Sequence, residues 1–411
     1  MARPGLLFLC HRIPYPPDKG DKIRAWPLLQ HLAQTHRVFL GCFVDDPADL
    51  PHVAILRETC AEVMAVPLSP LRQRLRALAL ARPGRPLTLD YFGSARLTRW
   101  VGDVARRQPP ARVFAFSSSM APYALRVPGV PRILDLVDLD SQKWAEQARR
   151  ARGLARLVWA REGRNLLAFE RQAASQFDRT LFCSEPEWAR FAALAPECRA
   201  RTAWLENGVD LERFSPARSY PNPYPDAAPR IVFTGAMDYW PNIDAVDWFA
   251  REALPLLRAR VPAAEFMIVG ANPAAAVLRL ARLPGVRVTG RVADTRPYLA
   301  HAGAVVAPLR VARGIQNKVL EAMAMARPVV ASPAAFEGVC APAGTALLVA
   351  EGATSMAAAL ADVLQGRHRE LGRAARQAVE SRYSWASTLH RLDVLWHDLE
   401  TSPRESARKV A

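Results

Sequence analysis

The sequence lacks any apolar run long enough to cross a membrane. Near its start the longest clean run is LLFLC, residues 6–10, whereas a spanning helix takes about 20 residues. The same run is too short for the core of a signal peptide, so we expect an intracellular protein. Half of the 411 residues are hydrophobic and 23% are charged, which is typical of a globular chain of two domains of about 200 residues each.

Cysteine is scarce and scattered. The six cysteines form no Cys-x-x-Cys pair and have no histidine at ligand spacing. We therefore expect reduced, mostly buried thiols and no zinc site. A Gly-x-Gly-x-x-Gly fingerprint is also missing after the first predicted strand, where the chain has CHRIPYPPDKG. A dinucleotide-dependent oxidoreductase or epimerase is therefore not favoured.

Acidic residues are outnumbered, with 39 Asp and Glu against 55 Lys and Arg, which gives a net charge of +16. This excess predicts an anionic partner: nucleic acid, membrane lipid or a phosphate-bearing substrate. A nucleic-acid module would interleave stacking aromatics with basic residues, and the sequence has none of this kind. Residues 71–85 and 149–164 instead mix arginines with leucines, a pattern typical of helices on anionic membrane surfaces. A solvated arginine-rich face is the alternative.

Short apolar segments alternate with helical patterns along most of the chain. The strand candidates are LLFLC, RVFLGCFV, ARVFAFSS, RILDLVD, RTLFCSE, RIVFTGAM, AEFMIVGAN, VRVTGRV, AGAVVAPL, RPVVAS and ALLVA. Strands separated by helices form parallel sheets covered on both faces. A proline-rich stretch at 219–230 is the best linker candidate. We predict two doubly wound α/β domains, residues 1–217 and 218–383, then a C-terminal helix, 384–401, that can cross back to the N-terminal domain, and a disordered tail, 402–411.

Three cations lie where one of these strands gives way to a helix. The strand AGAVVAPL ends near Leu309 and the helix begins near Gln316, so the loop that carries Arg310 and Arg313 lies at the carboxyl edge of the sheet. Ligands bind outside this edge in open parallel sheets. The free amides of the new helix favour an anion there, and Lys318 adds a further positive charge.

A nucleoside diphosphate matches this cluster. Its diphosphate would bind the cations and its ribose hydroxyls would bind Glu321, which is three residues from Lys318 on the same helix face. Gly314 permits close backbone approach. Gly235 and the pair Gly290–Arg291 follow two other strands of the same half, so the three strand ends define one cleft rim. A solvated helix end with a simple Lys–Glu pair is the alternative.

The segments NGVDLERF, GAMDYWPNIDAVDWF, FMIVGANP, GVRVTGRV and LEAMAMARPVV resemble a known family in order and spacing. The C-terminal half looks like the donor-binding domain of the retaining family-four glycosyltransferases. Their GT-B architecture has two Rossmann-like, doubly wound domains facing across a cleft. DLVDLDSQKW, residues 135–144, together with RGIQNKVLEAMAM is similar to the bacterial exosortase-associated exopolysaccharide sugar transferases.

The resemblance implies a hexosyltransferase-like enzyme that moves a sugar, with retention, from a UDP- or GDP-linked donor to a glycan or lipid-linked acceptor. It implies no metal or other cofactor and a cytoplasmic location that can be peripheral on the inner face of the plasma membrane. A basic nucleic-acid-binding or membrane-binding protein without catalysis is the alternative. The implied catalytic residues are Arg310, Lys318 and Asp138; the donor-binding residues are Gly235, Gly290, Arg291, Arg313, Gly314, Ile315, Gln316, Asn317 and Glu321; and the acceptor-side residues are Gly20, Asp21, Arg24 and Asp140.

Two departures from the family pattern concern the donor site. Most members place two glutamates eight residues apart, and here Glu321 matches the second while Arg313 occupies the first position. Many members also supply an Arg and a Lys after the glycine that matches Gly235, where this chain has no base. We infer that Arg310, Arg313 and Lys318 supply the missing positive charge.

Two stretches of the N-terminal half carry the acceptor-side predictions. Related enzymes often have a histidine in the stretch that here contains Asp138 and Asp140. Either carboxylate can hydrogen-bond a sugar, but Asp140 also suits a helix cap, and a metal-binding pair is disfavoured because it lies far along the chain from the cation cluster. The loop at 11–24 resembles the family's acceptor-side loop, with a plain surface turn as the alternative.

Overall fold

The N-terminal part of the chain forms a parallel sheet covered by helices. The computed structural model describes residues 3–401. The strands of its first sheet are β1 (Gly5–Cys10), β2 (Arg37–Val44), β3 (Glu62–Pro67), β4 (Arg112–Phe116), β5 (Arg132–Val137), β6 (Arg179–Phe182) and β7 (Thr202–Trp204). They pair in the order β3-β2-β1-β4-β5-β6-β7. β1 lies between two parallel neighbours and is buried on both faces, which explains its unbroken apolar sequence.

Helices connect these strands and cover both faces of the sheet. They are α1 (Gly20–Thr35), α2 (Val53–Thr59), α3 (Pro70–Ala79), α4 (Leu87–Tyr91), α5 (Ala95–Arg107), α6 (Ala121–Ala124), α7 (Asp140–Arg150), α8 (Gly153–Gln176) and α9 (Glu185–Leu194). The helix α1 continues through Pro27. The strand predictions missed β3 and β7, which are the edge strands of this sheet and are less buried than its central strands.

The second sheet is also parallel. Its strands are β8 (Arg230–Thr234), β9 (Glu265–Val269), β10 (Val286–Gly290), β11 (Ala304–Ala307), β12 (Val329–Ala331) and β13 (Leu348–Val349), in the order β10-β9-β8-β11-β12-β13. Its helices are α10 (Trp240–Trp248), α11 (Leu254–Arg260), α12 (Ala275–Leu280), α13 (Arg296–Ala300), α14 (Asn317–Ala324), α15 (Pro333–Phe336), α16 (Gly352–Leu364) and α17 (Leu371–Arg382). The strand order reverses between β8 and β11, which creates the topological switch point where such sheets bind ligands.

Each sheet belongs to a separate compact unit. The first unit consists of two segments, one that ends at Glu206 and one that begins at Leu389. The second unit spans Asn207–Thr388. The structure therefore divides at 206/207, where the sequence predicted 217/218. Residues after Asn207 pack on the second unit, because Arg376 donates to the carbonyls of Phe214 (2.7 Å) and Ala324 (2.7 Å).

The last described element is the helix α18 (Trp385–Thr401). Residues of this helix from Leu389 onward belong to the first unit, where Trp396 is buried in the core and Asp393 lies 2.8 Å from His31. The predicted disordered tail, 402–411, lies outside the described residues. As predicted, the thiols are mostly buried: five of the six cysteines are buried, and Cys340 is exposed.

A fully buried ion pair joins α1 to β5 in the first unit. Arg24 and Asp135 are both 0% exposed, and the Arg24 guanidinium donates to Asp135 Oδ2 (2.8 Å) and to the carbonyl oxygen of Leu205 (2.7 Å). Burial raises the pKa of Asp135, and Arg24 opposes that rise. The sequence prediction placed Arg24 on the acceptor side, but its burial gives it a structural role.

We expect Arg24→Met to lower the free energy of unfolding by about 3–5 kcal/mol, because it leaves the buried carboxylate of Asp135 without a cation. Urea unfolding followed by tryptophan fluorescence measures the loss. Arg106→Met, which removes an exposed partner of Asp103, is the control and should cost less than about 1 kcal/mol. The double variant Arg24→Met/Asp135→Leu should recover part of the loss. Equal tolerance of both single substitutions would contradict the structural role.

Candidate functional site

Two glycine loops meet at the carboxyl edge of the second sheet. Gly235 follows β8 and Gly270 follows β9, and the Gly235 amide donates to the Val269 carbonyl (3.1 Å). A Cβ on Gly270 would lie 1.7 Å from the carbonyl oxygen of Gly235. Glycine is therefore the one residue type that fits at 270. Gly235 was predicted from the sequence and Gly270 was not, although both glycines directly follow a strand.

The Gly235 loop also touches side chains from two helices. A Cβ on Gly235 would lie 2.8 Å from Asn242 Nδ2 and 3.2 Å from Lys318 Nζ. Asn242 of α10 donates to the Ala236 carbonyl (2.8 Å) and accepts from Lys318 Nζ of α14 (2.6 Å). The strand end, α10 and α14 therefore converge at the switch point of the sheet. Asn242 was missed because a single Asn in a helix carries no sequence signal.

The Lys318 ammonium sits in a largely desolvated place. Burial lowers the pKa of Lys318 to about 7, and the charge of Glu321 opposes this shift. Its Nζ also lies 4.1 Å from the centre of the Phe233 ring, a favourable cation–π distance. Among the described residues Lys318 makes one hydrogen bond, to Asn242, so two of its three N–H donors remain for a ligand.

Glu321 occupies the next turn of α14. Burial raises its pKa to about 7, while the charges of Arg213 and Lys318 lower it. Arg213 comes from the loop NGVDLERF before the second sheet and was not among the predicted site residues. A carboxyl group with this pKa changes its charge readily near neutral pH, and both of its states can hydrogen-bond a hydroxyl.

The loop between β11 and α14 is shaped by glycine. Gly314 has φ 59°, a left-handed conformation that favours glycine. A Cβ on Gly338 would lie 2.3 Å from the Gly314 carbonyl oxygen, so the two backbones pack closely. Gln316 donates to the Arg313 carbonyl (2.9 Å), and Ile315 is buried.

The helix α14 begins one residue after its predicted start. No side chain caps its N-terminus, which leaves the positive end of the helix available to an anion. Asn317, its first residue, accepts from Asn207 (3.0 Å) through its side chain.

The three predicted cations do not share one position. Lys318 reaches Gly235, but the exposed Arg310 turns to α10, where its Nε donates to Asp244 Oδ2 (2.9 Å). This pairing raises the pKa of Arg310 and offsets its charge. Arg313 is half-buried within the loop. Lys318 therefore brings positive charge to the Gly235 loop, whereas the charge of Arg310 is offset by Asp244.

Gly290 and Arg291 lie farther along the same sheet edge. Gly290 ends β10, which is separated from β8 by β9. Its φ of 70° accounts for the glycine, and a Cβ would meet nothing within 4 Å. Arg291 is exposed.

In the first unit, Asp138 follows β5 at the carboxyl edge of its sheet. It accepts hydrogen bonds from Cys183 Sγ (3.0 Å) and Lys143 Nζ (3.0 Å). Burial alone would raise the pKa of Asp138, but Lys143 and the Cys183 hydrogen bond outweigh it and hold the pKa below its usual value. Asp140 binds the same Lys143 Nζ (3.0 Å). It is the first residue of α7 and not its cap, so the capping interpretation is wrong.

The loop at 11–24 presents one more carboxylate. Asp21 Oδ2 lies 3.3 Å from His11 Nε2 and 3.1 Å from Arg12 Nη1. Burial would raise the pKa of Asp21, but hydrogen bonds and charges from His11 and Arg12 hold it well below its usual range. Gly20 opens α1 and is exposed. The structure thus leaves Gly20 at the surface and gives Asp21 two basic partners.

Within residues 3–401, no three His, Cys, Asp or Glu side chains come together as a metal-binding group. Over the same residues, no helix combines the length and apolar character needed to span a bilayer.

Comparison with known proteins identifies the class of fold. Residues 228–366 match the family Glycosyl transferases group 1. Over the whole chain, the structure is similar to the sucrose-phosphate synthase of Thermosynechococcus elongatus, with TM-score 0.69, 18% identity and coverage of 97% of this chain and 99% of that one. It is also similar to HepE of Anabaena in complex with UDP-glucose, with TM-score 0.65, 15% identity and coverage of 96% and 100%.

A third similar structure is a glycosyltransferase from Rickettsia africae, with TM-score 0.67, 12% identity and coverage of 98% and 100%. Comparison with curated protein sequences gave no match. The chain therefore has the GT-B fold with two Rossmann-like units, and the predicted fold class is confirmed. Together the group 1 match and these neighbours support the prediction of a nucleotide-sugar-dependent glycosyltransferase. They do not favour a protein without catalysis.

Proposed function

We propose that this protein transfers a sugar from a nucleoside-diphosphate donor to a glycan or lipid-linked acceptor in surface polysaccharide synthesis, with retention of anomeric configuration. The observation that carries the proposal is the meeting of Lys318, Asn242 and the Gly235 loop at the switch point of the second sheet. The group 1 match covers the residues that build this meeting point. UDP in the complexes of HepE supports uridine as the first base to test, with guanosine as the second.

In the proposed complex the diphosphate lies between the Gly235 loop and the N-terminus of α14. Gly235 leaves room for a phosphate against the backbone, and Lys318 and the helix amides bind its oxygens. Glu321 binds the ribose hydroxyls. Arg313, Gly314, Ile315, Gln316 and Asn317 form the loop around the donor, with Gly290 and Arg291 at the outer rim.

The chemistry follows from this placement. The anomeric C–O bond breaks and the nucleoside diphosphate leaves with the electron pair. An acceptor hydroxyl oxygen forms the new bond to the anomeric carbon and gives up its proton to the leaving diphosphate. Negative charge grows on the leaving diphosphate, and a cation and amides already in position stabilise it without reorganisation. We assign Lys318 the main part of this stabilisation, and Arg310 a smaller part because Asp244 offsets its charge.

For the acceptor side we propose Gly20, Asp21, Asp138 and Asp140 of the first unit. Asp138 and Asp21 are held ionised by basic neighbours, so both can accept hydrogen bonds from sugar hydroxyls. Arg24 is left out because it is buried. We place the protein in the cytoplasm, peripheral on the inner face of the plasma membrane, in keeping with a lipid-linked acceptor.

A thermal-shift panel tests the donor class. We expect UDP- or GDP-linked sugars to raise the melting temperature, because they bind the folded protein alone. ADP-linked sugars serve as a comparison, with NAD and an oligonucleotide as controls. Stabilisation by the oligonucleotide and by none of the nucleotide sugars would refute the proposal in favour of nucleic-acid binding.

Lys318→Ala should lower sugar transfer about a hundredfold, because one preorganised charge contact with the leaving group is worth about 3 kcal/mol. Its melting temperature should change little, since Asn242 keeps its bond to the Ala236 carbonyl. Arg279→Ala, an exposed arginine of α12 in the same unit, is the control and should leave both values unchanged. Parallel losses of activity and melting temperature in Lys318→Ala would argue for a structural lysine.

Donor binding should take up protons near pH 8. The pKa of free Lys318 is about 7, so its amine is mostly neutral at this pH, whereas a bound diphosphate favours the charged form. Affinity should therefore fall as the pH rises from about 7 to about 9. Calorimetry in buffers of different ionisation enthalpy measures the uptake, and Lys318→Arg, which stays charged, is the comparison. Identical uptake in the two proteins would exclude Lys318 as the titrating group.

A further inference from the structure

Helix α3 of the first unit turns its leucines outward. Leu71, Leu75 and Leu78 are 70%, 61% and 57% exposed, and Ala77 is its one buried residue. At 3.6 residues per turn these leucines form a single stripe. A helix of a globular domain usually turns its apolar stripe to the core. We therefore expect another surface to cover the exposed stripe on α3.

Arginines border this stripe on both sides. Arg72 and Arg74 are exposed and project to opposite sides of the leucine stripe, because successive residues turn by about 100°. Residues 70–86 contain five arginines and no acidic residue. This arrangement is typical of a helix that lies at an anionic membrane surface, with its apolar stripe at the acyl boundary and its cations at the headgroups.

The start of α8 repeats the pattern. Leu154 and Leu157 are 81% and 65% exposed. Residues 149–164 contain six arginines and one glutamate, Glu162, which is buried. In the two segments, Arg85 bonds Asp90 and Arg149 lies 3.8 Å from Glu146. Eleven arginines against one glutamate give the two segments a large positive excess.

Glu162 and its neighbours on α8 hold the two segments together. The Glu162 carboxylate accepts from the amides of Leu87 (2.7 Å) and Thr88 (2.9 Å) at the start of α4. Arg161 and Asn165 donate to the carbonyl of Arg85, at 3.2 and 3.3 Å. The loop after α3 is thereby fixed on α8, so the two leucine-bearing segments are held near each other in the first unit.

We propose that this arginine–leucine face, made of residues 70–86 and 149–164, docks on the surface of an anionic lipid bilayer. It deepens the proposed function, on which it rests for its biological meaning, by naming the surface that brings the enzyme to a lipid-linked acceptor. Binding to nucleic acid would explain the arginines but not the exposed leucines. A second copy would place arginines against arginines, because a two-fold interface pairs the same patch with itself.

Vesicle sedimentation of the full chain tests the proposal. The protein should bind vesicles containing phosphatidylglycerol and not vesicles of pure phosphatidylcholine, and about 0.5 M NaCl should release it. Arg72→Gln/Arg74→Gln should weaken binding about 25-fold, at about fivefold per arginine. Leu71→Ser/Leu75→Ser/Leu78→Ser should weaken it about tenfold. Since these side chains are exposed, melting temperatures should not change.

The matched control is Leu278→Ser/Arg279→Gln, which removes an exposed leucine and arginine from α12 of the second unit and should bind vesicles as the unchanged protein does. Absence of vesicle binding, or binding unaffected by the leucine substitutions, would overturn the proposal. So would a dimer, seen by light scattering, that the leucine substitutions separate. Nucleotide-sugar thermal shifts on the same proteins report the donor site independently, so the two proposals can fail separately.

Discussion

The hydrogen bond from Lys318 to Asn242 is the interaction on which the candidate site depends. It joins α14 to α10 directly above the Gly235 loop, and it forms where the strand order of the second sheet reverses. Because the ammonium is largely withdrawn from water, its charge is costly without an anion and valuable with one. An anion bound there gains more from Lys318 than it would from a solvated lysine.

Glycines and charged side chains have different roles at this edge of the sheet. Gly235 and Gly270 permit contacts that any side chain would block, so they decide how closely a ligand can approach the backbone. Arg310 illustrates the limit of counting charges along a loop. It is positively charged and lies in the predicted loop, but its guanidinium pairs with Asp244 on a neighbouring helix. Residue type and sequence position alone do not specify where a side chain points.

The first unit uses its charges in two opposite ways. Inside it, Arg24 and Asp135 form a pair that water does not reach, and Glu162 ties the start of α4 to α8. On its outside, α3 and the start of α8 expose leucines among arginines. Because Glu162 is buried, it does not offset the arginines at the surface of this face.

The sequence by itself determined the two parallel sheets, their main strands and the location of the phosphate-compatible edge. These follow from local patterns, since a buried parallel strand must be apolar and a strand-end glycine marks a turn. The partly buried edge strands β3 and β7 were not predicted. The tertiary structure alone decided that Asn242 and Gly270 join the site, that Arg24 is internal, and that Arg213 acts on Glu321. Each of these depends on contacts between residues far apart in the chain, which no local pattern encodes.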